Sequence, residues 1–389
     1  MNNKNLFGQF YTPDFLAKII VLRALHYMEA LPSTVLELAA GEGHLLTQIL
    51  AVAPNANVTA VDIDVNNTTH LKSYGPNLVI YNQDGISALE GIPDCSFDMG
   101  LGNPPFLSNI VIDEYKHDLL KTTMGLDISV GKLVRSEFIF ICQYLKFISN
   151  GGILTIIVPE SIVSGERHQY FRAALLRNWE VVEIYQVDGT PFLSTEAKTH
   201  VLTIKKSKNI KSSIDIKALS SKGVILGVKN IPVKSLIERM DYSYYASCQM
   251  LTAGLKRLDK HASIARGNIS HKHLKDIGIP YIHTTTFKHL TPQSFSHSDT
   301  PSSKYVTAKL GDVLMCRVGS RVVGKIMVFT GRETVISDCV FRIRFRDKGV
   351  RDEFLLYLES ELGSKAISSR CRGVCSRYLT KTDLASFYF

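Results

Sequence analysis

Apolar residues along the first half of the chain fall into two alternating patterns. Short β-branched runs at Val35–Leu38, Val58–Ile63, Leu78–Gln83 and Phe97–Gly102 have the continuous hydrophobicity of strands buried on both faces. Between and around them, apolar positions recur at helical spacing in Phe15–Tyr27, in the stretch after Gly43, in Ser136–Ile148 and in Gln169–Arg177. Three further runs, Ile153–Val158, Val181–Tyr185 and Val201–Ile204, bring the expected strands to seven, the last two suiting an antiparallel end pair. Strand–helix alternation of this kind predicts an α/β, doubly wound sheet. Thr12-Pro13-Asp14 reads as a helix start with Thr12 as cap and proline at the first position, and Gly151-Gly152 as a break between helix and strand.

Polar residues gather where the predicted strands end. Asn103-Pro104-Pro105-Phe106 follows the fourth run: an amide oxygen, a carbonyl exposed by proline, and an aromatic face. Asn103 and the Pro104 carbonyl can accept both protons of a planar amino group while Phe106 stacks on its ring. The first run leads through Glu37-Leu38-Ala39-Ala40-Gly41-Glu42-Gly43 into a helix, a turn whose glycines admit a ligand close to the backbone. The second ends at Asp62, 25 residues after Glu37, near the spacing at which doubly wound sheets hold ribose hydroxyls. The third ends at Asp84, placed to accept a hydrogen bond from an adenine amino group. Each acid taken singly is also an ordinary helix cap or loop residue.

In this order, with Gly8-Gln9-Phe10-Tyr11-Thr12-Pro13 upstream of the glycine turn, the chain resembles the class I S-adenosylmethionine-dependent DNA adenine-N6 methyltransferases of the TaqI-type (gamma) order. The resemblance implies a seven-stranded methyltransferase sheet with S-adenosyl-L-methionine surrounded by Thr12, Glu37, Ala39, Gly41, Asp62 and Asp84. It assigns catalysis to Asn103, Pro104 and Phe106, and makes Phe192, in the loop Gly189-Thr190-Pro191-Phe192, the aromatic opposite Phe106 around a flipped base. Leu38 and Ala40 stand where the family often has Pro and Cys, a departure that removes no polar contact.

Charge divides the chain. Residues through Lys206 carry a net −6 and those after it +15, for +9 overall. A basic C-terminal half is the electrostatic footprint of a polyanionic partner. Lys205–Lys229 is basic and Ser-rich, and a domain junction is expected between there and about Tyr245, giving a catalytic domain at 1–235 and a second domain at 236–389. Segments Ile264–Gly267, Lys309–Ser320 and Ile336–Arg344 resemble the target-recognition domains of TaqI-type enzymes and of type I restriction specificity subunits. A β-rich, α+β DNA-recognition domain is implied, with Arg317, Arg321 and Lys325 as candidate contacts to phosphates or guanine edges. Seven scattered cysteines fit reduced thiols and no metal site. The polar N-terminus and the absence of a long apolar run predict a soluble, cytoplasmic protein of prokaryotic type, at the nucleoid through DNA, with no membrane partner.

The expected function is therefore methyl transfer to adenine N6 in double-stranded DNA, within a restriction-modification or related system that can include a separate endonuclease. One recognition domain implies a monomer on DNA. Two alternatives share parts of the pattern: methylation of another conjugated amino group, ribosomal RNA guanine N2 or protein glutamine, and a non-catalytic DNA-specificity subunit. The long polar connection between Phe106 and Leu133 is expected to be functional, and His117 within it to be exposed and not catalytic.

Overall fold

The continuous apolar runs become strands, buried on both faces except for the edge strand at Leu78–Asn82, and the main sheet has two strands more than the sequence expectation. The structure is a computed structural model that describes residues 12–187, 199–220, 222–249, 256–288, 304–373 and 376–389. It divides into two units, Met1–Tyr242 and Ser243–Phe389.

The first unit carries β1 (Thr34–Leu38), β2 (Asn57–Asp62), β3 (Leu78–Asn82), β4 (Phe97–Gly102), a small ribbon of β5 (Ile110–Val111) with β6 (Leu133–Val134), then β7 (Ile148–Pro159), β8 (Glu180–Val187), β9 (Thr199–Lys205), β10 (Ser213–Leu219) and β11 (Ile225–Pro232). Nine of these form one sheet in the order β11-β10-β8-β9-β7-β4-β1-β2-β3. β1 to β4 and β7 are parallel, and β9 runs antiparallel between β7 and β8. The seven expected strands are all present. The basic, Ser-rich stretch after Lys205 supplies two more, β10 parallel to β8 and β11 antiparallel to β10. Its inward residues Ile214, Ile216 and Ala218 alternate with polar ones, so the strand signal is diluted by its solvent-facing side.

Alternation along the strands sorts residues to opposite faces. Val35, Met99, Leu101 and Ile153 join a core with Leu16, Ile20, Leu45 and Ile49 from helices Asp14–His26 and His44–Val52. On the other face lie Gly100 and Gly102, where a Cβ would meet the Tyr144 side chain at 2.8 Å. Tyr144 belongs to helix Ser136–Phe147, whose Phe138 stacks at 3.9 Å on Phe171 of helix Gln169–Asn178. Gly151-Gly152 does not separate helix from strand as expected; both glycines lie inside β7. A Cβ on Gly152 would stand 3.0 Å from the Asp98 carbonyl and 3.1 Å from that of Phe97, so glycine permits the irregular pairing of β7 with the start of β4. The connection after Phe106 is ordered into helix Glu114–Met124, capped by Asp113. Its half-exposed His117 pairs with Asp127 at 2.9 Å, and that hydrogen bond raises the imidazole above its ordinary value.

One buried ion cluster fastens helix Asp14–His26 to the far side of the sheet. Arg23 holds the Glu183 carboxylate through Nε at 2.6 Å and Nη2 at 3.0 Å, and Lys217 reaches it at 2.9 Å. Burial acts to raise Glu183, but the Arg23 and Lys217 contacts outweigh it and hold the group below the usual carboxylate range.

The second unit is built on a four-stranded sheet, β12 (Ala262–Arg266), β18 (Val340–Phe345), β15 (Val313–Cys316), β16 (Ile326–Val328), and a three-stranded one, β13 (Tyr281–Ile282), β17 (Thr334–Ile336), β14 (Thr307–Ala308). Helices Lys348–Glu359, Glu361–Arg370 and Lys381–Ala385 supply Phe354, Ile367 and Leu384 to a core shared with Val313, Met315 and Ile343. Gly311, at φ 87, makes the turn into β15, and the buried Asp312 beside it takes both arms of Arg344 at 2.7 Å. Cys95, Cys142, Cys316, Cys339 and Cys371 are free thiols. Among the described residues no helix is long and apolar enough to cross a membrane.

Because the Glu183 carboxyl is depressed in the folded state, its contribution to stability is present above the unfolded carboxyl value and is lost as pH falls through the folded one. Replacing it leaves two cations without their partner. Glu183→Ala is expected to lower unfolding free energy by about 3 kcal/mol at neutral pH, and by less in acid, in urea denaturation followed by circular dichroism.

Candidate active site

The C-terminal ends of β1, β2 and β4 converge, and each end carries a polar group whose partners are specific. Glu37, the penultimate residue of β1, is 2% exposed. Burial pushes its carboxyl well above the usual carboxylate range, and the negative charge of Asp62 adds to the shift. Its Oε2 is buried without a hydrogen-bond partner among the described residues. An orphaned carboxylate oxygen is costly unless a cation or donor reaches it. It lines a cleft with Thr12, Ala39, Gly41, His44 and Asn103, while Asp62 and Asp84 stand outside that lining.

The turn between β1 and the next helix is shaped by left-handed backbone. Gly41 has φ 56 and Gly43 φ 82; a Cβ on Gly43 would come 2.7 Å from Leu71. Ala39 has φ 84, a conformation that costs a residue with a side chain of order 1 kcal/mol or more. Ala39 and Ala40 both donate their backbone N–H to the Val61 carbonyl, at 2.7 and 2.9 Å, which holds the turn against β2. Asp62 then accepts the Gly41 N–H at 2.7 Å on one oxygen, and the Asp64 N–H at 2.8 Å and Asn67 amide at 3.2 Å on the other. Asp84 accepts from the Ile86 N–H and the Ser87 hydroxyl, so its carboxylate also organises its own turn.

Asn103 follows β4. Its Nδ2 donates to the Thr12 hydroxyl at 2.9 Å, and Thr12 is 5% exposed. Thr12 is therefore not the helix cap that its sequence suggested. Pro13, whose side chain carries no acceptor, occupies the cap position, and the Thr12 oxygen accepts from Asn103. Pro104 is buried and Phe106 half-buried against the core beneath the turn. The Pro105 carbonyl accepts from the Ser136 hydroxyl; Ser136 Oγ in turn accepts the Leu107 N–H at 2.9 Å, and the Ser136 N–H returns to the Leu107 carbonyl. Among the described residues the Pro104 carbonyl takes no hydrogen bond. Phe192, with Gly8 to Tyr11, lies outside the described residues.

Two contributors escaped the sequence reading. Ser136 begins the helix that secures the Asn-Pro-Pro-Phe turn, beside Arg135 and Glu137, which pair at 2.7 Å. Tyr144, two turns further along, accepts the Leu38 N–H at 2.7 Å and donates to the Leu101 carbonyl at 2.5 Å. The only local sign was the pair of small residues Gly100 and Gly102, which signal close approach without naming the partner.

In the second unit the three candidate cations differ. Arg317 is half-buried and bonds the Asp338 carbonyl through Nε at 2.7 Å; burial and then Arg266 lower it from its ordinary value. Arg321 and Lys325 are exposed on the turn between β15 and β16.

A nucleotide-type cradle at the parallel strand ends, on a sheet with its antiparallel β9 inserted beside β7, defines a class I methyltransferase fold. Residues 1–239 match the family described as N-6 DNA Methylase, and the chain belongs to that family. Modification methylase CviBIII of Paramecium bursaria Chlorella virus NC1A is 24% identical over 206 residues, 51% of this chain and 50% of that protein. The chain thus spans about half the length of that curated relative. Among solved structures, the type IIG restriction endonuclease BpuSI matches with TM-score 0.53 and 13% identity over 97% of this chain and 58% of its own, a likeness of fold. The methyltransferase subunit of a type I restriction-modification system from Streptococcus thermophilus has TM-score 0.46 and 21% identity, covering 59% of this chain and 51% of that one.

The strain at Ala39 is open to measurement. Ala39→Gly is expected to leave stability unchanged or raise it by up to about 1 kcal/mol, because glycine adopts this φ freely. Ala39→Val should cost more than about 1 kcal/mol, in thermal unfolding of the purified variants.

Proposed function

We propose that the protein transfers a methyl group from S-adenosyl-L-methionine to the N6 amino group of adenine in duplex DNA, the second unit recognising the target sequence. Family membership supports the reaction class. The observation that carries the reading is how the turn after β4 allots its acceptors. Asn103 lines the cleft beside Glu37 and donates its Nδ2 to Thr12, which sets the plane of its amide, and Ser136 occupies the Pro105 carbonyl but not that of Pro104, so the Asn103 amide oxygen and the Pro104 carbonyl are the proposed acceptors.

Two acceptors of that kind suit an exocyclic NH2. Adenine's amino lone pair is delocalised into its ring, so hydrogen bonds that its two N–H groups donate to Asn103 and the Pro104 carbonyl localise it and stabilise the positive charge that develops on nitrogen. Phe106 gives the base a stacking surface, with Phe192 as the proposed second face. A base inside the duplex cannot reach such a site, so the target adenine flips out.

The buried, orphaned Glu37 oxygen fits the cationic end of an amino-acid cofactor, and the positive-φ turn from Ala39 to Gly43 fits close backbone approach. S-adenosylmethionine supplies, when bound, an activated methyl group on sulfonium. Thr12, Glu37, Ala39 and Gly41 would hold its methionine side, Asp62 its ribose and Asp84 its adenine. Arg317, Arg321 and Lys325 are proposed DNA contacts, and a monomer is the proposed binding form.

Mapping N6-methyladenine in the genome of a methylation-deficient bacterium that expresses the protein tests the reading; a single reproducible motif is the expected result, and no methylated adenine would refute it. In the purified protein, Asn103→Ala should cut turnover by at least about a hundredfold while cofactor binding persists. Thr12→Val, which frees the Asn103 amide to turn over, should lower kcat on the order of tenfold, about 1.4 kcal/mol of lost positioning, with Thr12→Ser restoring it.

Cofactor binding should also sense Glu37. Its carboxyl is raised in the free protein by burial and by Asp62, whereas a bound ammonium would lower it. Affinity is therefore expected to rise with pH and binding to release protons, seen by calorimetry in buffers of different ionisation enthalpy. Glu37→Gln should bind more weakly and without that pH dependence.

A further inference from the structure

The second unit contains a recess of about 370 Å³ between the β15–β16 turn and the helix pair Lys348–Glu359 and Glu361–Arg370. Its apolar floor includes Leu358 and Ile367, and Arg321, Lys325 and Arg377 line it with one acid, Glu359. Among the described residues neither Arg321 nor Lys325 has an ion-pair partner, whereas Arg344 and Arg372 of the same unit are held by Asp312 and Asp383. Arg377 donates to the Ser368 carbonyl at 2.8 Å and its hydroxyl at 3.0 Å, which fixes its guanidinium at the recess. Gly324, at φ 82, lets the turn pass close to Ile367, where a Cβ would stand at 3.2 Å. Two unpaired cations and a third anchored one therefore converge on a concave surface.

Concavity decides what such a surface can meet. Base edges lie at the bottom of a groove and are reached by a protruding helix or ribbon. The sugar-phosphate backbone is the ridge of the duplex, and a ridge seats in a recess. We propose that this recess is a backbone-phosphate site of the DNA, and that Arg321, Lys325 and Arg377 position the duplex without reading its sequence. The proposal rests on the reading of the second unit as DNA-binding and deepens it, by giving Arg321 and Lys325 to phosphate and not to guanine edges.

The test uses the full chain and two duplexes, one with the methylated motif and one without, titrated by fluorescence anisotropy over a range of salt. Lys325→Gln and Arg377→Gln should each weaken binding to both duplexes by the same factor and make the log–log salt slope shallower by up to about 0.9, the value for one neutralised phosphate. Glu359→Gln, which removes the opposing charge, should tighten both. Lys381→Gln, at an exposed residue outside the recess, should leave the slope unchanged. Loss confined to the motif-bearing duplex would assign these cations to base reading and overturn the proposal. An equal slope change in Lys381→Gln would overturn it as well, by showing diffuse charge in place of a site. If the parent protein binds neither duplex, the DNA-binding reading itself fails, and the recess proposal with it.

Discussion

The hydroxyl of Tyr144 is the point on which the arrangement of the strand ends depends. It takes a hydrogen bond from the backbone of β1 and gives one to the backbone of β4, so the two strands that carry Glu37 and Asn103 are tied through a single buried oxygen. The ring can lie there only because Gly100 and Gly102 present no side chain to it. From the opposite face, the helix that follows Thr12 packs on the same strands and is fastened by Arg23 to Glu183. Thr12 and Asn103 meet because both faces of the sheet are fixed independently.

Charge in the molecule serves two separate ends. At the ends of β1 and β2, two carboxylates stand close enough that burial, and then the charge of its neighbour, raise one of them well above the usual carboxylate range. Such a pair resists folding unless something positive arrives, which is why it reads as a binding feature and not as a stabilising one. The net +15 after Lys206 is less uniform than it looks in the sequence. Arg344 and Arg372 are matched to buried acids, and Arg317 is tied to a backbone carbonyl. Among the described residues, a smaller set of cations, Arg321 and Lys325 among them, has no ion-pair partner.

The strand–helix alternation and the placement of acids and amide at strand ends were legible in the sequence because each is a local pattern. Buried strands are continuous apolar runs, and the residues that follow them are polar for a reason visible in the run itself. Contacts across long separations were not legible. Ser136 reaches a carbonyl 31 residues away and Tyr144 a strand 106 residues away, and nothing beside either residue announces it. The role of Thr12 was hidden for the same reason: its local context, Thr-Pro-Asp, favours a cap, while the Asn103 amide that donates to its hydroxyl lies 91 residues on. Of the two outer strands, β10 was hidden by Ser213, Asp215 and Lys217 alternating with its buried residues, and Gly151-Gly152 by a preference for breaks that a crowded neighbouring strand overrides.

Ser136 has a further consequence, kinetic in kind. Its hydroxyl and backbone grip the Asn-Pro-Pro-Phe turn on both sides of Phe106, and the two prolines already restrict the residues before it. The conformational entropy of that turn is therefore lost during folding and not at each encounter with a substrate. On the function proposed above, its acceptors would keep their spacing whether or not a base is present, and little reorganisation would separate capture of an amino group from its reaction. A turn of the same four residues without the serine beneath it would have to be ordered anew at each binding event.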